Sequence, residues 1–361
     1  MILFIISGAF SGCKKMDSTY RKYVVQGGLT YTGKVTSATA YPGHNRVKIS
    51  WLRGSDINVT HVRIFWNNYT DSIEVHIPST GDTISAVIGN LPEKSYSFIL
   101  ETYDDKGHSS VKVELLSAAY GDSYESSLLN RPVFSSIMGN NDTVNIQWGS
   151  ADISNGAYAT EIQYTDTAGD AQVRRFDISD PGSQLTGYKP GTTFSYRTVY
   201  LPDSLSIDTF YTDYATQHVS GKIDKSNWIA TADSYTPTRL LPSGPPDRAI
   251  DGDINTYWHS LYPSNVVFPH WLEVDMGQAI TVTGVELIYR QNVFNDFANF
   301  NIEGSMDGIN WTTYGSFTFL KVNDPQDYAI TGAPQMRYIR VYADKGVNNY
   351  AHLGEFSVFG Y

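Results

Sequence analysis

The chain has 361 residues, a formal net charge of −11 at pH 7, and a charged-residue content of only 17%. An acidic balance disfavours nucleic acid and anionic lipid as partners, because both attract basic surfaces, and leaves an uncharged polar partner or a cation. The length predicts two or three domains, and an aromatic content of 14% with 26 tyrosines favours an all-β protein.

The first 19 residues predict a leader and a tether. Met1–Phe10 is apolar, too short to span a bilayer, and followed by Ser11 and Gly12 before the single cysteine, Cys13. This order resembles a bacterial lipobox, which implies that Cys13 is lipidated. We therefore expect a cell-envelope protein anchored to the outer membrane by lipid alone, facing outward or into the periplasm. The alternative is an ordinary buried cysteine.

The next two hundred residues predict one β-sandwich used twice. Short segments with period-two alternation of apolar and polar residues are separated by turn residues. Trp51 and Tyr96 are 45 residues apart, and Trp148 and Phe194 are 46 residues apart at equivalent places in the pattern. All four aromatic residues fall on the inward phase of their strands, so we predict that they are core residues.

Two segments, Leu91–Tyr96 and Lys189–Phe194, resemble the turn that enters a late strand of fibronectin type III domains. The region is also similar to a narrower, uncharacterised family of tandem sandwiches in surface lipoproteins of Gram-negative bacteria. The residues that carry the narrower resemblance are Gly33, Lys34, Pro42, Gly43, Asn45, Arg46, Val47, Trp66, Asn67, Asn68, Tyr120, Gly121, Leu129, Asn130 and Arg131. The resemblance implies two fibronectin type III-like domains, at 20–119 and 120–216, with no known ligand. A linker is predicted at 217–227.

The last domain opens on an oxygen-rich turn. Asp251, Asp253 and Thr256 lie within six residues, and Gly252 allows the backbone to turn sharply between them. Converging carboxylate, hydroxyl and carbonyl oxygens are typical ligands of a hard cation such as calcium. The alternative is an ordinary surface turn of a β-protein.

Residues 217–361 resemble the discoidin or coagulation-factor C-type domain. More narrowly, they resemble the galactose-binding-like carbohydrate-binding modules attached to galactose oxidase and bacterial sialidases. The shared segments are Ala249–Asp253, Thr256–His259, Pro269–Gly277, Tyr289–Gln291, Ser305–Trp311, Arg337–Val341 and Gly354–Gly360. This resemblance implies an all-β, jelly-roll sandwich that binds a glycan, with terminal galactose-type sugars as the expected ligand.

The same resemblance implies two sets of site residues. A structural calcium ion would be held by Arg248, Asp251, Asp253, Thr256, Gly354 and Glu355. The sugar would be bound by His259, Tyr262 and Arg290, with further contacts from Asn292, Asn348, Asn349 and Tyr350. Each of these residues could instead have an ordinary structural role. His259 could be a hydrogen-bonded histidine at the rim, Arg290 could pair with a carboxylate, and Tyr350 could be an ordinary loop aromatic.

We predict no catalytic residue. The chain lacks the nucleophile elbow, zinc-protease motif and phosphate-binding loop of common enzyme classes. The expected function is glycan binding, with the two earlier sandwiches as a stalk or docking scaffold. The alternative is a protein-binding adhesin or an assembly component beside other outer-membrane uptake proteins. A lipid-binding version would need exposed apolar tips, for which Phe294 and Phe297 are the candidates.

Overall fold

The computed structural model describes residues 23, 28–237, 242–263, 266–292 and 297–361, and Cys13 lies outside them. The chain divides into two compact units. The first comprises Met1–Leu128 with Leu201–Phe210, and the second comprises Leu129–Tyr200 with Tyr211–Tyr361. Nearly all the regular structure is β-strand. No helix in the described ranges is long and apolar enough to cross a membrane.

The first unit contains a seven-stranded sheet with the order β4-β3-β6-β7-β1-β2-β5. Its strands are β1 (Thr36–His44), β2 (Arg46–Leu52), β3 (Val59–Trp66), β4 (Asp71–His76), β5 (Thr83–Ile88), β6 (Lys94–Asp104) and β7 (Val113–Tyr120). The pairing of β1 with β7 is parallel and short, while β1 pairs with β2 along its length in the antiparallel sense. The sheet therefore folds over at this junction, and alternate side chains of β2, β3, β5 and β6 form one core.

The helix α1 (Asp122–Ser127) follows the first sheet. Its first N–H groups lack partners within the helix, as at any helix start. The carboxylate of Glu93 accepts hydrogen bonds from the backbone nitrogens of Ser123 and Tyr124, both at 2.8 Å. This contact caps the helix and stabilises its start.

The second unit begins with a sandwich of the same strand order. One sheet has the order β12-β9-β8 and the other β11-β10-β13-β14, with β15 also pairing with β13. The strands are β8 (Val133–Met138), β9 (Val144–Trp148), β10 (Ala157–Thr165), β11 (Ala171–Asp177), β12 (Gly182–Leu185), β13 (Thr193–Tyr200), β14 (Phe210–Tyr211), of which Tyr211 belongs to this unit, and β15 (Ala215–His218). A short 3₁₀ turn lies at Ile153–Asn155.

The rest of the second unit is a larger sandwich. Its main sheet has the order β16-β26-β20-β24-β21-β22, with β17 and β23 also pairing with β20, and a small sheet has the order β18-β19-β25. The strands are β16 (Gly221–Lys222), β17 (Ile229–Ala232), β18 (Ser243–Gly244), β19 (Tyr257–His259), β20 (His270–Ile288), β21 (Asn299–Ser305), β22 (Thr312–Thr318), β23 (Gln326–Ala329), β24 (Gln335–Ala343), β25 (His352–Leu353) and β26 (Glu355–Gly360). A 3₁₀ turn at Pro246–Ala249 precedes β19.

The segment predicted as a linker is paired on both sides. Strand β15 ends at His218 and pairs with β13, and β16 pairs with the final strand β26 three residues later. Between them, the hydroxyls of Ser220 and Thr283 lie 2.5 Å apart. The His218 ring stacks on Tyr361 at a centroid distance of 4.3 Å. The segment is therefore paired with the sheet of β13 at one end and with the sheet of β26 at the other.

The predicted all-β fold with sandwich sheets is confirmed, and so is its aromatic core. Trp51, Tyr96, Trp148 and Phe194 are all 5% exposed or less. The predicted division at 119 and 216 and the fibronectin type III assignment stay predictions.

Phe297 is 1% exposed, and its side chain packs in the core of the last domain. It is therefore not a lipid-binding tip. Burial of this ring follows from its contacts with Phe300 and Phe319, at 6.2 and 5.6 Å between centroids. Phe294 lies outside the described residues. The lipid-binding alternative therefore loses the one candidate tip that the structure describes.

Candidate functional site

The candidate site is built on the short strand β19. His259 pairs with His352 on β25, one residue beyond the pair of Trp258 with Leu353. Side chains alternate along a strand, so Trp258 enters the core at 2% exposure while the half-buried His259 points to the other side. This register places the two histidine rings together, with centroids 3.8 Å apart.

Two tyrosines extend this pair into an aromatic cluster of His259, Tyr262, Tyr350 and His352. The His259 ring lies 5.9 Å from each tyrosine ring, and the tyrosine rings meet edge to face at 5.3 Å. Tyr262 is 57% exposed. The structure thus brings three of the predicted sugar-site residues together from two distant segments, and it adds His352, which the sequence interpretation missed.

His259 is neutral and its tautomer is determined by one contact. Its Nδ1 lies 2.6 Å from the carbonyl oxygen of Ser260, which can only accept, so Nδ1 carries the hydrogen. The other ring nitrogen, Nε2, is then an acceptor. Burial, followed by the charges of His352 and Arg290, lowers the pKa of His259 to about 4. At neutral pH this ring offers a hydrogen-bond acceptor beside exposed aromatic carbon.

Arg290 supplies donors next to the cluster. Its guanidinium lies 4.4 Å from the centre of the Tyr257 ring and donates to Nε2 of His352 at 3.2 Å. These two contacts orient the planar group. A guanidinium has five N–H donors, so those not used at His352 remain for a ligand. Donor and acceptor groups therefore flank the same aromatic surface.

The three asparagines predicted as sugar contacts differ in their surroundings. The backbone nitrogen of Asn292 donates to Oδ1 of Asn323 at 2.9 Å, and its Oδ1 accepts from Nδ2 of Asn323 at 3.1 Å. Asn348 and Asn349 are exposed beside Tyr350. The carbonyl of Asn349 accepts a hydrogen bond of 3.1 Å from Nε2 of His270. Asn292 therefore contacts another loop, and Asn349 is tied down through its backbone.

His270, at the start of β20, holds this last loop in place. It is 1% exposed, and its Nδ1 lies 2.7 Å from the Asp233 carboxylate. Burial alone would lower the pKa of His270, but the hydrogen bonds to Asp233 and to the Asn349 carbonyl and the charge of Asp233 outweigh it and raise the pKa. The sequence interpretation missed this buried ion pair, because no local pattern links positions 37 residues apart.

The predicted calcium residues also converge. The hydroxyl of Thr256 lies 2.8 and 3.0 Å from the two Asp251 carboxylate oxygens. It also lies 3.2 Å from the carbonyl of Arg248 and 3.0 Å from that of Asp253. A hydroxyl has one hydrogen and can satisfy only one of these four acceptors. The surplus of oxygen acceptors around a 4% exposed side chain is a donor set that fits calcium.

Glu355 connects this loop to the final strand. It is 4% exposed, and its Oε2 accepts a hydrogen bond of 3.1 Å from the backbone nitrogen of Gly252. Lys225 forms an ion pair with the other carboxylate oxygen. Burial raises the pKa of Glu355, the Asp251 charge acts in the same direction, and Lys225 opposes both. A bound cation would favour the charged form of Glu355 as Lys225 does.

Gly354 lets the backbone before β26 lie close to the carbonyl oxygens of Ile288 and Tyr289. A Cβ atom added there would lie 2.7 Å from the carbonyl oxygen of Tyr289 and 3.0 Å from that of Ile288. The first distance is shorter than real Cβ contacts and the second is tighter than most of them, and both are to backbone oxygens, so a side chain would force the backbone to shift here. Gly354 therefore fixes where Glu355 meets the loop.

Comparison with known families divides the chain in two. Residues 13–210 match the family model of a domain of unknown function, DUF4998. The chain belongs to the DUF4998 family. Its residues 211–356 match the F5/8 type C domain, so the predicted discoidin-type domain is confirmed. The finer description of the first region, a tandem fibronectin type III-like family of bacterial surface lipoproteins, stays a prediction.

Two curated relatives match the last domain of this DUF4998 protein. A sialidase of Micromonospora viridifaciens is 31% identical over 147 residues, which are 39% of this chain and 22% of the relative. A galactose oxidase of Gibberella zeae is 27% identical over 151 residues, 40% of this chain and 22% of the relative. The chain thus spans about a fifth of the length of these relatives.

Solved structures are similar to the same part of the chain. The C-terminal domain of a chitobiase from Bacteroides fragilis is 26% identical with a TM-score of 0.36, and the match covers 39% of this chain and 97% of that one. The family 32 CBM of Clostridium perfringens NanJ, in complex with galactose, is 25% identical with a TM-score of 0.35 over 39% of this chain and 98% of that one.

Proposed function

We propose that this protein binds a glycan through the aromatic cluster and Arg290, with terminal galactose-type sugars as ligands. The observation that supports this proposal most directly is that the rings of Tyr262 and Tyr350 lie next to His259, whose Nε2 is a hydrogen-bond acceptor. A sugar ring has an apolar face that packs on aromatic carbon and hydroxyl groups that need fixed partners at its edge. The cluster and Arg290 offer both kinds of contact on one surface.

The roles follow from the chemistry of each group. His259 accepts from a sugar hydroxyl, Arg290 donates to sugar oxygens, and the tyrosine rings cover the apolar face. Asn348, exposed at the edge of the cluster, is a further contact, and Asn349 acts by positioning the loop. The match of residues 211–356 to the F5/8 type C domain supports this assignment.

We propose that the protein is not an enzyme. The sialidase and galactose oxidase share about a fifth of their length with this chain. We therefore do not assign the reactions of the sialidase or the galactose oxidase to this chain. In this proposal the two sandwiches predicted at 20–119 and 120–216 act as a stalk or docking scaffold, with a lipid at Cys13 holding the protein at the outer membrane.

The glycan proposal is tested on the full chain with a glycan array and isothermal titration of the best ligand. Arg290→Ala removes hydrogen bonds from a charged donor, about 1.5–3 kcal/mol, or roughly 10- to 150-fold in affinity. His259→Ala should weaken binding by about 1 kcal/mol or more. The control is His76→Ala, since that histidine has an 82% exposed side chain in the first unit.

Unchanged affinity in both variants would refute the site. Absence of any glycan ligand would refute the function. A protein partner captured equally well with galactose-type sugars in excess would favour the alternative, an adhesin or an assembly component of an uptake complex. Array binding that free sugar abolishes supports the glycan proposal.

We further propose that calcium stabilises this domain through the loop that carries Thr256. Calcium bound only by the folded state adds about 2.7 kcal/mol at a concentration one hundred times its Kd. Chelator should therefore lower the melting temperature, and Thr256→Val should remove most of that response. Asp307→Asn is the matched control, because Asp307 caps a hairpin turn in the same domain with bonds of 2.8 Å to Asn310 and 2.9 Å to Ile309. A melting temperature that chelator leaves unchanged would refute the calcium claim.

A further inference from the structure

Three side chains that can bind a metal ion meet in the first unit, and neither proposal above uses them. His44 is the last residue of β1, and Asp122 and Glu125 belong to the helix α1. One ligand atom of each, an imidazole nitrogen and two carboxylate oxygens, lies within 4.8 Å of the other two. Among the described residues, no other group of three histidine, cysteine or acidic side chains meets this spacing.

The spacing suits a single zinc ion. Zinc binds histidine nitrogen and carboxylate oxygen at about 2.0–2.2 Å, so two ligands of a tetrahedral ion lie about 3.4 Å apart. Nε2 of His44 and Oδ1 of Asp122 are 3.6 Å apart. Any pair of ligand atoms needs to approach by about 1.4 Å at most, from 4.8 Å to about 3.4 Å. Side chains at the surface make such shifts by small rotations about their own bonds.

The fold fixes the distance between the two elements that carry these side chains. His44 pairs with Tyr120 where β1 and β7 run parallel, and α1 begins two residues after Tyr120. The backbone nitrogen of His44 donates to Oδ2 of Asp208 at 2.8 Å, and the His44 ring packs on Phe210 at 5.2 Å between centroids. The imidazole is therefore supported on one side, and its Nε2 lies next to α1.

The two carboxylates of α1 have no permanent positive charge beside them. In the ranges that the structure describes, no lysine or arginine forms an ion pair with Asp122 or Glu125, and the Glu125 carboxylate accepts no hydrogen bond. The first N–H groups of α1 are already used by the carboxylate of Glu93. A third negative charge thus lies at the same helix start. A divalent cation would offset this concentration of charge.

A plain surface ion pair is the alternative to a metal site. The side chains of His44 and Asp122 are 40% and 98% exposed, and an ion pair this exposed contributes little to stability. It also requires a protonated imidazole and gives no role to Glu125. A metal ion would instead use the neutral ring and all three side chains.

We propose that His44, Asp122 and Glu125 bind one zinc ion, which links the end of β1 to α1. The nitrogen ligand favours zinc, because calcium and magnesium take oxygen ligands. Three protein ligands leave the fourth position to water, which the exposure of Asp122 allows. The residues proposed for calcium in the last domain supply oxygen alone, so the two sites select different ions.

The test is a titration of the full chain with zinc after treatment with chelator, in buffer that contains saturating calcium. The protein should bind zinc, and Glu125→Gln should weaken that binding at least tenfold. This variant keeps the shape of the side chain and loses no hydrogen bond in the described structure. Equal zinc affinity of the wild type and Glu125→Gln would overturn the proposal.

Glu74→Gln is the matched control. Glu74 lies 3.8 Å from Nε2 of both His61 and His76, but this group does not meet the spacing of a three-ligand site. Zinc affinity should therefore stay at the wild-type value. A loss of affinity in Glu74→Gln as large as in Glu125→Gln would show that zinc binds exposed histidines without selection, and would also overturn the proposal.

A second readout uses the wild type alone. Paramagnetic cobalt(II), which replaces zinc at nitrogen and oxygen ligands, should broaden the backbone ¹H–¹⁵N signals of His44 and Asp122–Ser127 before those of β4. Zinc should also slow hydrogen exchange in α1, and excess calcium should not reverse this effect. Broadening that begins at β4, or hydrogen exchange in α1 that zinc leaves unchanged, would contradict the proposed link.

Discussion

At the scale of single residues, the site depends on the protonation state of His259. Its Nδ1–H is used at Ser260, so the sugar-facing chemistry of the ring is the lone pair of Nε2. Protonation would turn that acceptor into a donor and place a second positive charge near Arg290. The proposed glycan binding therefore requires the neutral ring.

This requirement predicts a pH profile. Because the pKa of His259 is lowered to about 4, the ring stays neutral well below the usual range of histidine. Glycan affinity should be constant from about pH 8 to about pH 6 and should weaken only as the pH falls toward about 4. Titration calorimetry at several pH values measures this. A loss of affinity centred near the ordinary histidine pKa would contradict the assignment.

At the same scale, the sequence pattern predicts Trp258, Trp271 and Trp311 as core residues, and of these the structure buries Trp258. Trp271 and Trp311 are half-buried, and the guanidinium of Arg340 lies 6.0 and 4.1 Å from their ring centres. The pattern cannot distinguish a core ring from one that stacks under a charged side chain on the outer face of a sheet.

At the scale of elements, the loop that carries Asn349 and Tyr350, just before β25, is held in position by residues next to β17 and at the start of β20. Asp233 follows β17, and His270 begins β20. One ring nitrogen of His270 contacts the Asp233 carboxylate, and the other donates a hydrogen bond to the carbonyl of Asn349. Asp233 also accepts from the backbone nitrogen of Trp271 at 2.9 Å. One carboxylate thus fixes both the strand start and the loop that carries Tyr350.

Asp233→Asn should disturb this arrangement. Removing one partner of a buried ion pair costs about 3–5 kcal/mol, so the melting temperature should fall and hydrogen exchange at residues 346–350 should accelerate. Asp224→Asn is the control, because Asp224 caps an exposed turn of the same unit through Ser226. Unchanged exchange in that loop would contradict the role given to His270.

The same pair predicts a pH dependence of stability with a definite sign. The folded-state pKa of His270 is raised above its unfolded value, so its stabilisation is complete below about pH 6.5 and is lost as pH rises through the folded pKa. The difference in melting temperature between the protein and Asp233→Asn should therefore shrink as the pH rises above about 6.5. A difference that grows over this range would contradict the prediction.

Most elements of the fold were predictable, while several contacts at the site were not. Strands such as β2 and β9 show their inward phase in the residue pattern, because every second side chain is apolar. The cluster was predicted in part, through a family resemblance. His352 and the Asp233–His270 pair depend on cross-strand register and on chain separations that no local pattern contains.

At the scale of the whole molecule, chain order is a poor guide to compact units. Leu201–Phe210 belongs to the first unit, although its neighbours along the chain belong to the second. Arg46 makes a two-bond contact with Asp208, 162 residues away, at 2.9 and 2.5 Å. Asp208 also accepts from the backbone nitrogen of His44 at 2.8 Å. Sequence boundaries drawn at composition changes do not reveal such a segment.

The overall charge gives a last prediction about the ligand. The chain carries −11, and the Arg290 guanidinium is already oriented by Tyr257 and His352, so a neutral sugar would be bound by short-range contacts. Affinity should then change less than about twofold between about 0.01 and 1 M salt, over which the Debye length falls from about 30 to about 3 Å. Arg290→Lys keeps the charge but loses the planar donor fork, and it should weaken binding equally at every salt concentration. A steep loss of affinity with salt would instead indicate a charged ligand, and would contradict recognition of neutral galactose-type sugars.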